Sequence, residues 1–267
     1  MRNVARIARL GRGPLSKAKI FLVGLAMARS RWPARRLTTI RIRAMGQTVR
    51  FVVSALSDLL VLRDTFLFDD FRKYTGDPRV IVDLGSNIGA TVVYFRLKYP
   101  EASIVAVEPD PFAFEKLRRN TAGFEGIELR NVAVTAEPGQ VTLYQHSQSW
   151  GSSLFEWWQG ATPVSVPAQT LDGLIAELGL ERIDLLKIDI EGAEFQVLPS
   201  SRQLHRVQAI IGEIHAYLSD EPVEQLLSCL EGFDVRVPPL AGRANVSLMA
   251  TRHQRLSSSA GPYDDRA

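Results

Sequence analysis

Residues 82–89 read V-D-L-G-S-N-I-G and follow β-branched residues that begin at Val80. Such a run is typical of a buried strand in a parallel sheet. The next segment reads as a helix that ends before Pro100. A glycine-rich turn from a strand into a helix lets a ligand approach the backbone closely. The segment therefore predicts a nucleotide-like ligand site at the first turn of an α/β sheet.

The residues of this loop favour a cationic ligand over a pyrophosphate. A dinucleotide loop has the pattern G-x-G-x-x-G, and its second and third glycines, counted from Gly85, would fall at Asn87 and Ala90. Asp83 would repel a pyrophosphate but attract the sulfonium and ammonium groups of S-adenosylmethionine. Glu108 follows Gly85 by 23 residues, where a carboxylate can accept hydrogen bonds from ribose hydroxyls.

From Arg79 onward, strand-like and helix-like segments alternate, which is typical of a mostly parallel α/β sheet. The predicted strands cover 80–84, 103–107, 127–133, 140–144, 183–190 and 209–214. Helices are predicted after the loop to Tyr99, over 111–122, 171–178 and 221–231, and starting at 193–198. Residues 234–237 and 246–251 predict a C-terminal antiparallel hairpin, and 145–162 predict a long loop of the kind that often forms a lid.

A second charged cluster closes the strand predicted over 183–190. Lys187, Asp189 and Glu191 alternate, so we expect them on one face of the sheet, although such strands are usually apolar on both faces. If the strands of Asp83 and Asp189 are neighbours where the strand order reverses, both clusters share one cleft. His215 closes the next strand, either as a general base or as a buried structural histidine. The simpler alternative for the cluster is a solvated strand end with a Lys–Glu pair.

A divalent cation is the alternative use of these side chains. Asp189, Glu191, Glu213 and His215 are ligand types that suit Mg²⁺ or Mn²⁺. They come from two strands, and we assign no metal site.

The N-terminal region is strongly basic. Residues 1–57 contain 13 Lys or Arg and no acid, whereas the remainder carries 19 basic and 29 acidic side chains. The stretch 20–28, I-F-L-V-G-L-A-M-A, is apolar between basic flanks. It fits a secretory signal, a helix on an anionic membrane surface, or a helix packed on the body. We predict a basic arm with a short apolar helix over 1–57, a catalytic domain over 58–251 and a disordered tail over 252–267.

Composition narrows the class of protein. The 46% hydrophobic and 23% charged residues are ordinary for a globular chain and exclude collagen-like or wholly disordered proteins. The single cysteine, Cys229, cannot form an internal disulfide. No apolar run approaches the roughly 18 to 20 residues of a membrane-spanning helix. We expect a soluble cytoplasmic protein, peripheral to the inner face of the membrane if the arm binds lipid.

Several motifs together resemble the FkbM-type methyltransferases over roughly residues 77–215. They are V-D-L-G-S-N-I-G, A-V-E-P-D, Ala133-Val134, T-L-D, L-L-K-I-D-I-E-G-A-E and G-E-I-H. The resemblance implies a Rossmann-like class I fold and an S-adenosylmethionine-dependent O-methyltransferase that modifies a hydroxyl of a glycan, a sugar-containing lipid or a natural product.

The resemblance also implies residue roles. Cofactor contacts would come from Asp83, Gly85, Asn87, Gly89 and Glu108, to which we add Ser86, Asp110 (near the adenine) and Ala133. The reaction centre would hold Lys187, Asp189, Glu191 and His215, with Asp189, His215 and Glu191, in that order, as candidates for the base. Two alternatives stay open: a nucleic-acid methyltransferase that grips its substrate with the basic arm, and a non-catalytic cofactor-binding scaffold.

Overall fold

A computed structural model describes residues 2–29, 35–68, 70–146, 151–157, 159–238 and 245–252. Its N-terminal part contains α1 (Arg2–Ala8), α2 (Pro14–Ala28), β1 (Thr38–Ala44), β2 (Gln47–Val53) and α3 (Leu56–Arg63). The β1–β2 hairpin was not predicted. Its turn places Met45 and Gly46 at positive φ, the backbone that two-residue hairpin turns require.

The apolar helix α2 packs on the hairpin and on the body of the protein. Its buried residues Ile20, Val23 and Met27 recur at helical spacing. They share one core with Phe51 of β2 and with Val93, in the helix after the glycine loop. In the part of the chain that the structure describes, no helix combines the length and apolarity needed to cross a membrane.

The other strands form two sheets. Their bounds are β3 (Val80–Leu84), β4 (Ser103–Val107), β5 (Ile127–Arg130), β6 (Ala133–Thr135), β7 (Gly139–Gln145), β8 (Thr162–Thr170), β9 (Leu185–Ile188), β10 (Ala209–His215), β11 (Phe233–Arg236) and β12 (Asn245–Arg252). The central sheet has the order β11-β12-β10-β9-β3-β4-β5, and β6-β8-β7 form a small separate sheet. The central strands are parallel except β12, which is antiparallel to β10 and β11. The mostly parallel sheet and the C-terminal antiparallel pair are confirmed.

Helices cover both faces of the central sheet. They are α4 (Ala90–Lys98), α5 (Pro111–Thr121), α6 (Leu171–Glu177), α7 (Glu194–Ser200) and α8 (Val223–Ser228). Neighbouring residues of β3 belong to different hydrophobic cores: Val82 packs with α6–α8, and Ile81 packs with α4 and α5. The strand order reverses between β3 and β9, which makes the carboxyl ends of these two strands the place for a ligand crevice.

Four predicted boundaries need correction. The strand predicted over 127–133 is divided between β5 and β6, in different sheets, and the loop predicted over 145–162 gives way at Thr162 to the nine-residue strand β8. The strand predicted over 183–190 ends at Ile188, because the chain turns and Glu191 adopts a left-handed backbone with φ of 51°. The helix predicted over 221–231 is limited to α8. Arg252 belongs to β12, and the rest of the predicted tail, 253–267, lies outside the described residues.

Candidate active site

A buried ion pair joins the two central strand ends. The strand register sets Asp83 of β3 beside Lys187 of β9, and the Lys187 Nζ lies 3.1 Å from Asp83 Oδ1. Asp83 also accepts a hydrogen bond from the Thr91 hydroxyl, while Lys187 donates to the Gly85 carbonyl at 2.7 Å. Burial lowers the pKa of Lys187, but Asp83 and Asp189 raise it above its ordinary value. Lys187 is therefore a fixed cation that holds the loop carbonyl in place.

The glycine loop passes very close to the chain that leaves β9. Gly85 has a φ of 79°, and a Cβ there would lie 1.8 Å from the carbonyl oxygen of Asp189. Gly89, also left-handed, begins α4. The Ser86 hydroxyl donates to the backbone at the end of β3 at 2.9 Å. Asn87 Oδ1 is buried and has no hydrogen-bond partner among the residues described, so the loop offers an unused acceptor.

Glu108 and Asp110 follow β4 and organise the next turn. The Glu108 carboxylate accepts hydrogen bonds from the backbone N–H of Asn87 at 2.7 Å and of Asp110 at 2.9 Å. Burial, helped by the charge of Asp110, raises the pKa of Glu108 to about 8. The Asp110 side chain caps α5 and accepts hydrogen bonds from Gln145 and Ser152. It thereby ties the loop after β7 to this edge of the sheet.

His215 lies among the acids that follow β9. Its Nε2 lies 3.7 Å from Asp189 Oδ1 and 3.5 Å from Glu191 Oε2, and its Nδ1 lies 3.1 Å from Glu194 Oε1. The imidazole is buried, whereas Asp189 is 38% exposed. Asp189 Oδ2 also lies 3.7 Å from Lys187 Nζ. Asp189 is thus an accessible carboxylate held between two cationic side chains.

The pKa values of this cluster move upward together. Burial lowers the pKa of His215, but the hydrogen bond and charge of Glu194, with Asp189 and Glu191, raise it to about 10. Burial raises the pKa of Glu191 to about 8; His215 opposes that rise, and the neighbouring carboxylates add to it. An imidazolium has no free lone pair to accept a proton. Near neutral pH, His215 is therefore a cation that donates a hydrogen bond to Glu194 and lies within ion-pair distance of Asp189 and Glu191.

The two strand ends open into one cleft, which encloses a cavity of about 130 Å³. Eight of the predicted site residues line this cleft: Gly85, Ser86, Asn87, Glu108, Ala133, Lys187, Asp189 and Glu191. Asp83, Gly89, Asp110 and His215 are not among its lining residues. They lie behind the cleft, where they pair, cap helices or hold the lining residues.

Residues 83–235 match the sequence model of the Methyltransferase FkbM domain, which is more than half of the chain. The chain belongs to the FkbM methyltransferase family. Its fold is the Rossmann-like class I methyltransferase fold, as the resemblance implied.

Three relatives illustrate the range of the family. Methyltransferase sdnD of Sordaria araneosa is 30% identical over 201 aligned positions, and the match covers 62% of this chain and 77% of that protein. The 2-O-methyltransferase NoeI of Sinorhizobium fredii (strain NBRC 101917 / NGR234) is 29% identical over 179 aligned positions, and the match covers 60% of this chain and 73% of that protein. The 31-O-demethyl-FK506 methyltransferase FkbM of Streptomyces tacrolimicus is 23% identical over 210 aligned positions, and the match covers 65% of this chain and 80% of that protein.

A second cavity of the methyltransferase, about 620 Å³, adjoins the cleft. Lys187 and Asp189 line both. The walls of this second cavity combine the apolar side chains of Phe71, Tyr74 and Met249 with polar ones that include Lys73, Glu213 and Arg236. The two hollows therefore meet at Asp189.

Three of the four side chains considered as metal ligands lie close enough to share an ion. Each of the three side chains offers one ligand atom, and these atoms of Asp189, Glu191 and His215 all lie within 4.8 Å of one another. Glu213 Oε2 lies 4.0 Å from His215 Nε2. Because the pKa of His215 is raised to about 10, a cation would have to displace a proton from this imidazole near neutral pH.

The sequence analysis missed Glu194 as a site residue. It is fully buried, and its carboxylate accepts hydrogen bonds from the backbone N–H of Ile190 and of Gly192, both at 2.9 Å. Glu194 also pairs with His215, so this one carboxylate connects the turn after β9 to the end of β10. Nothing in the local pattern of K-I-D-I-E-G-A-E distinguishes this acid from the other two, because its burial depends on β10. Ser152, Ser153 and Leu154, which line the cleft from the predicted loop, were also missed.

Proposed function

We propose that the protein is an S-adenosylmethionine-dependent O-methyltransferase that acts on a hydroxyl of a natural product or glycan. The observation that carries this proposal is the position of Asp189 where the two cavities meet. A methyl donor in the first cavity and an acceptor in the second would face each other across this carboxylate. The cleft itself supplies the acids and backbone groups that such a donor needs.

The residues of the first cavity fit S-adenosylmethionine. When bound, this cofactor supplies an electrophilic methyl carbon on a sulfonium leaving group. Glu108 would accept hydrogen bonds from the ribose hydroxyls, and the orphan Asn87 Oδ1 would accept one from a donor on the cofactor. Asp189 would favour the positive charge of its amino acid part, and Glu191, whose pKa is raised to about 8, would line this part of the cleft mostly as a neutral acid near neutral pH. Asp83 would act indirectly, by holding Lys187.

Asp189 is the residue we assign as proton acceptor. It is more exposed than Glu191 or Glu194, so a hydroxyl in the second cavity can reach it. The carboxylate orients the hydroxyl and takes its proton while the oxygen forms its new bond to carbon. Orientation alone can contribute about 7–11 kcal/mol to such a reaction, and a base adds about 10²- to 10⁴-fold. Lys187 and the His215 imidazolium keep Asp189 in place.

The acceptor class is inferred from the second cavity and from the relatives. A cavity with both aromatic and charged walls suits a hydroxylated molecule that is partly apolar. Two relatives are named for O-methylation: NoeI as a 2-O-methyltransferase, and the Streptomyces protein as acting on 31-O-demethyl-FK506. Both names support a hydroxyl as the acceptor group.

The test replaces Asp189 by asparagine, which keeps the shape and removes the base. We expect Asp189→Asn to bind S-adenosylmethionine measurably in calorimetry and to lose at least about a hundredfold in turnover. The matched control is Asp220→Asn, at an exposed aspartate outside both cavities, which should keep full turnover. The acceptor is sought by mass spectrometry of extracted glycans and lipids, made with and without the protein, as a gain of one methylene mass. Full turnover by Asp189→Asn removes Asp189 from the base role, and absence of heat with the intact protein contradicts the cofactor assignment.

A further inference from the structure

We propose that the N-terminal part of the protein docks on an anionic membrane surface, through the outer face of α2 and a basic groove beside it. The groove shares no lining residue with either cavity of the proposed active site, so the proposal does not depend on the reaction. Of the three interpretations of the apolar helix, we favour the helix on an anionic membrane surface. This choice is compatible with packing on the body, because a helix can pack on the body with one face and contact a membrane with the other.

The outer face of α2 exposes large apolar side chains. Leu15 is 88% exposed and Leu22 is 63% exposed, and they are the most exposed of the large hydrophobic residues described. They are seven residues apart, and Lys19 lies between them, four residues after the first, so the three form one stripe along the helix. The opposite face is the buried one, with Ile20 and Val23. The stripe is therefore not needed for packing within the chain.

The groove beside this stripe is lined by cations. Arg12, Lys19, Arg41 and Arg50 surround a hollow of about 760 Å³, which Leu15 also lines. The Ser16 hydroxyl donates to the Arg41 carbonyl at 2.6 Å and so holds α2 against β1. None of the four cations forms an ion pair with a described residue, and residues 1–57 hold no acid.

The hairpin register concentrates this charge. Arg41 of β1 is directly opposite Arg50 of β2, and like charges at opposed positions destabilise a hairpin. An anion between them would remove that repulsion. The phosphates of a nucleic acid would also match the cations of the groove, but a nucleic acid backbone would not bury the exposed leucines. Apolar side chains beside cations match the boundary between headgroups and acyl chains of an anionic bilayer.

The experiment measures sedimentation of the full chain with vesicles of phosphatidylcholine alone and of phosphatidylcholine mixed equally with phosphatidylglycerol. We expect binding to the mixed vesicles only, and weaker binding as salt rises. Arg41→Gln with Arg50→Gln should weaken binding about fivefold for each charge removed. Leu15→Ser with Leu22→Ser should weaken it as well, while the remaining binding stays sensitive to salt.

The matched control is Arg118→Gln with Arg119→Gln, which removes the same charge from exposed positions on α5 and should bind as the intact chain does. All substituted side chains are exposed, so thermal melting should differ little among the variants. Equal binding to neutral vesicles, or unchanged binding of the Arg41/Arg50 variant, overturns the proposal. So does salt-sensitive RNA binding without vesicle binding, or a leucine variant that alters only the oligomeric state.

Discussion

Glu194→Gln is expected to lower the pKa of His215 and to loosen the turn after β9. The carboxylate accepts two backbone N–H groups and faces His215 Nδ1 at 3.1 Å. Its hydrogen bond and charge are the main causes that raise the pKa of His215 to about 10. A hydrogen bond to a charged group contributes about 1.5–3 kcal/mol. At about 1.4 kcal/mol per pH unit, removing the charge should lower that pKa by about one to two pH units.

The substitution also has a cost in stability. Glutamine has one acceptor oxygen where glutamate has two, so the N–H of either Ile190 or Gly192 will face an amide donor. A buried donor without its acceptor costs about 1–3 kcal/mol, measurable as a lower urea midpoint. Because the turn carries Asp189 and Glu191, we expect lower turnover as well, with a pH profile displaced toward lower pH. A displaced pH profile would indicate that Glu194 positions the catalytic groups, because a purely structural residue would lower turnover without moving the profile.

The assay is an NMR titration of the histidine side chains, of which the chain has four. The matched control is Glu213→Gln, which neutralises a carboxylate 4.0 Å from His215 Nε2 that is 44% exposed. Solvent screens this carboxylate, so the control should lower the pKa of His215 much less. The reasoning is refuted if His215 titrates at an unchanged pH in Glu194→Gln, or if both variants shift it equally.

Three further outcomes are expected. Gly85→Ala should abolish cofactor binding and lower the melting temperature, because the new methyl group would lie 1.8 Å from a carbonyl oxygen; Gly123→Ala, at an open position, should melt as the intact chain does. Lys187→Met should cost about 3–5 kcal/mol in urea unfolding, because it leaves the buried Asp83 charge unpaired; adding Asp83→Asn should restore part of that loss, and strictly additive losses would contradict the pairing. Because the pKa of His215 is raised from 6.5 to about 10, its stabilisation is fully present below pH 6.5 and is lost as pH rises through about 10. Urea midpoints across this range should fall less steeply in His215→Gln, and an identical slope would show that this histidine is not the cause.

Much of the fold could be predicted because its signals are local. The β-branched run of β3, the glycine loop and the alternation of strand and helix lie within short windows, where backbone preference and hydrophobic period act. The β1–β2 hairpin also carried such a signal: T-I-R-I-R-A alternates, and Gly46 follows in the turn. The many basic residues of this region obscure the alternation. The strand β8 was not predicted, because residues 145–162 are rich in Ser, Gly, Gln and Trp, a composition that favours a loop.

The site could be predicted only in part, since its acids differ in burial and not in type. Asp83 and Asp189 are both aspartates at strand ends, yet one is fully buried in an ion pair and the other is accessible. Glu191 and Glu194 stand three residues apart and differ in the same way.

The sequence by itself determined the type of sheet, the glycine-rich turn into α4 and the set of charged residues at the strand ends, because each depends on neighbours along the chain. Only the tertiary structure decided which acid faces the cleft, which one holds Lys187 and which one keeps His215 protonated. Those roles depend on burial and on charges brought together from β3, β9 and β10, and a pKa responds to the surroundings in space rather than to the order of residues.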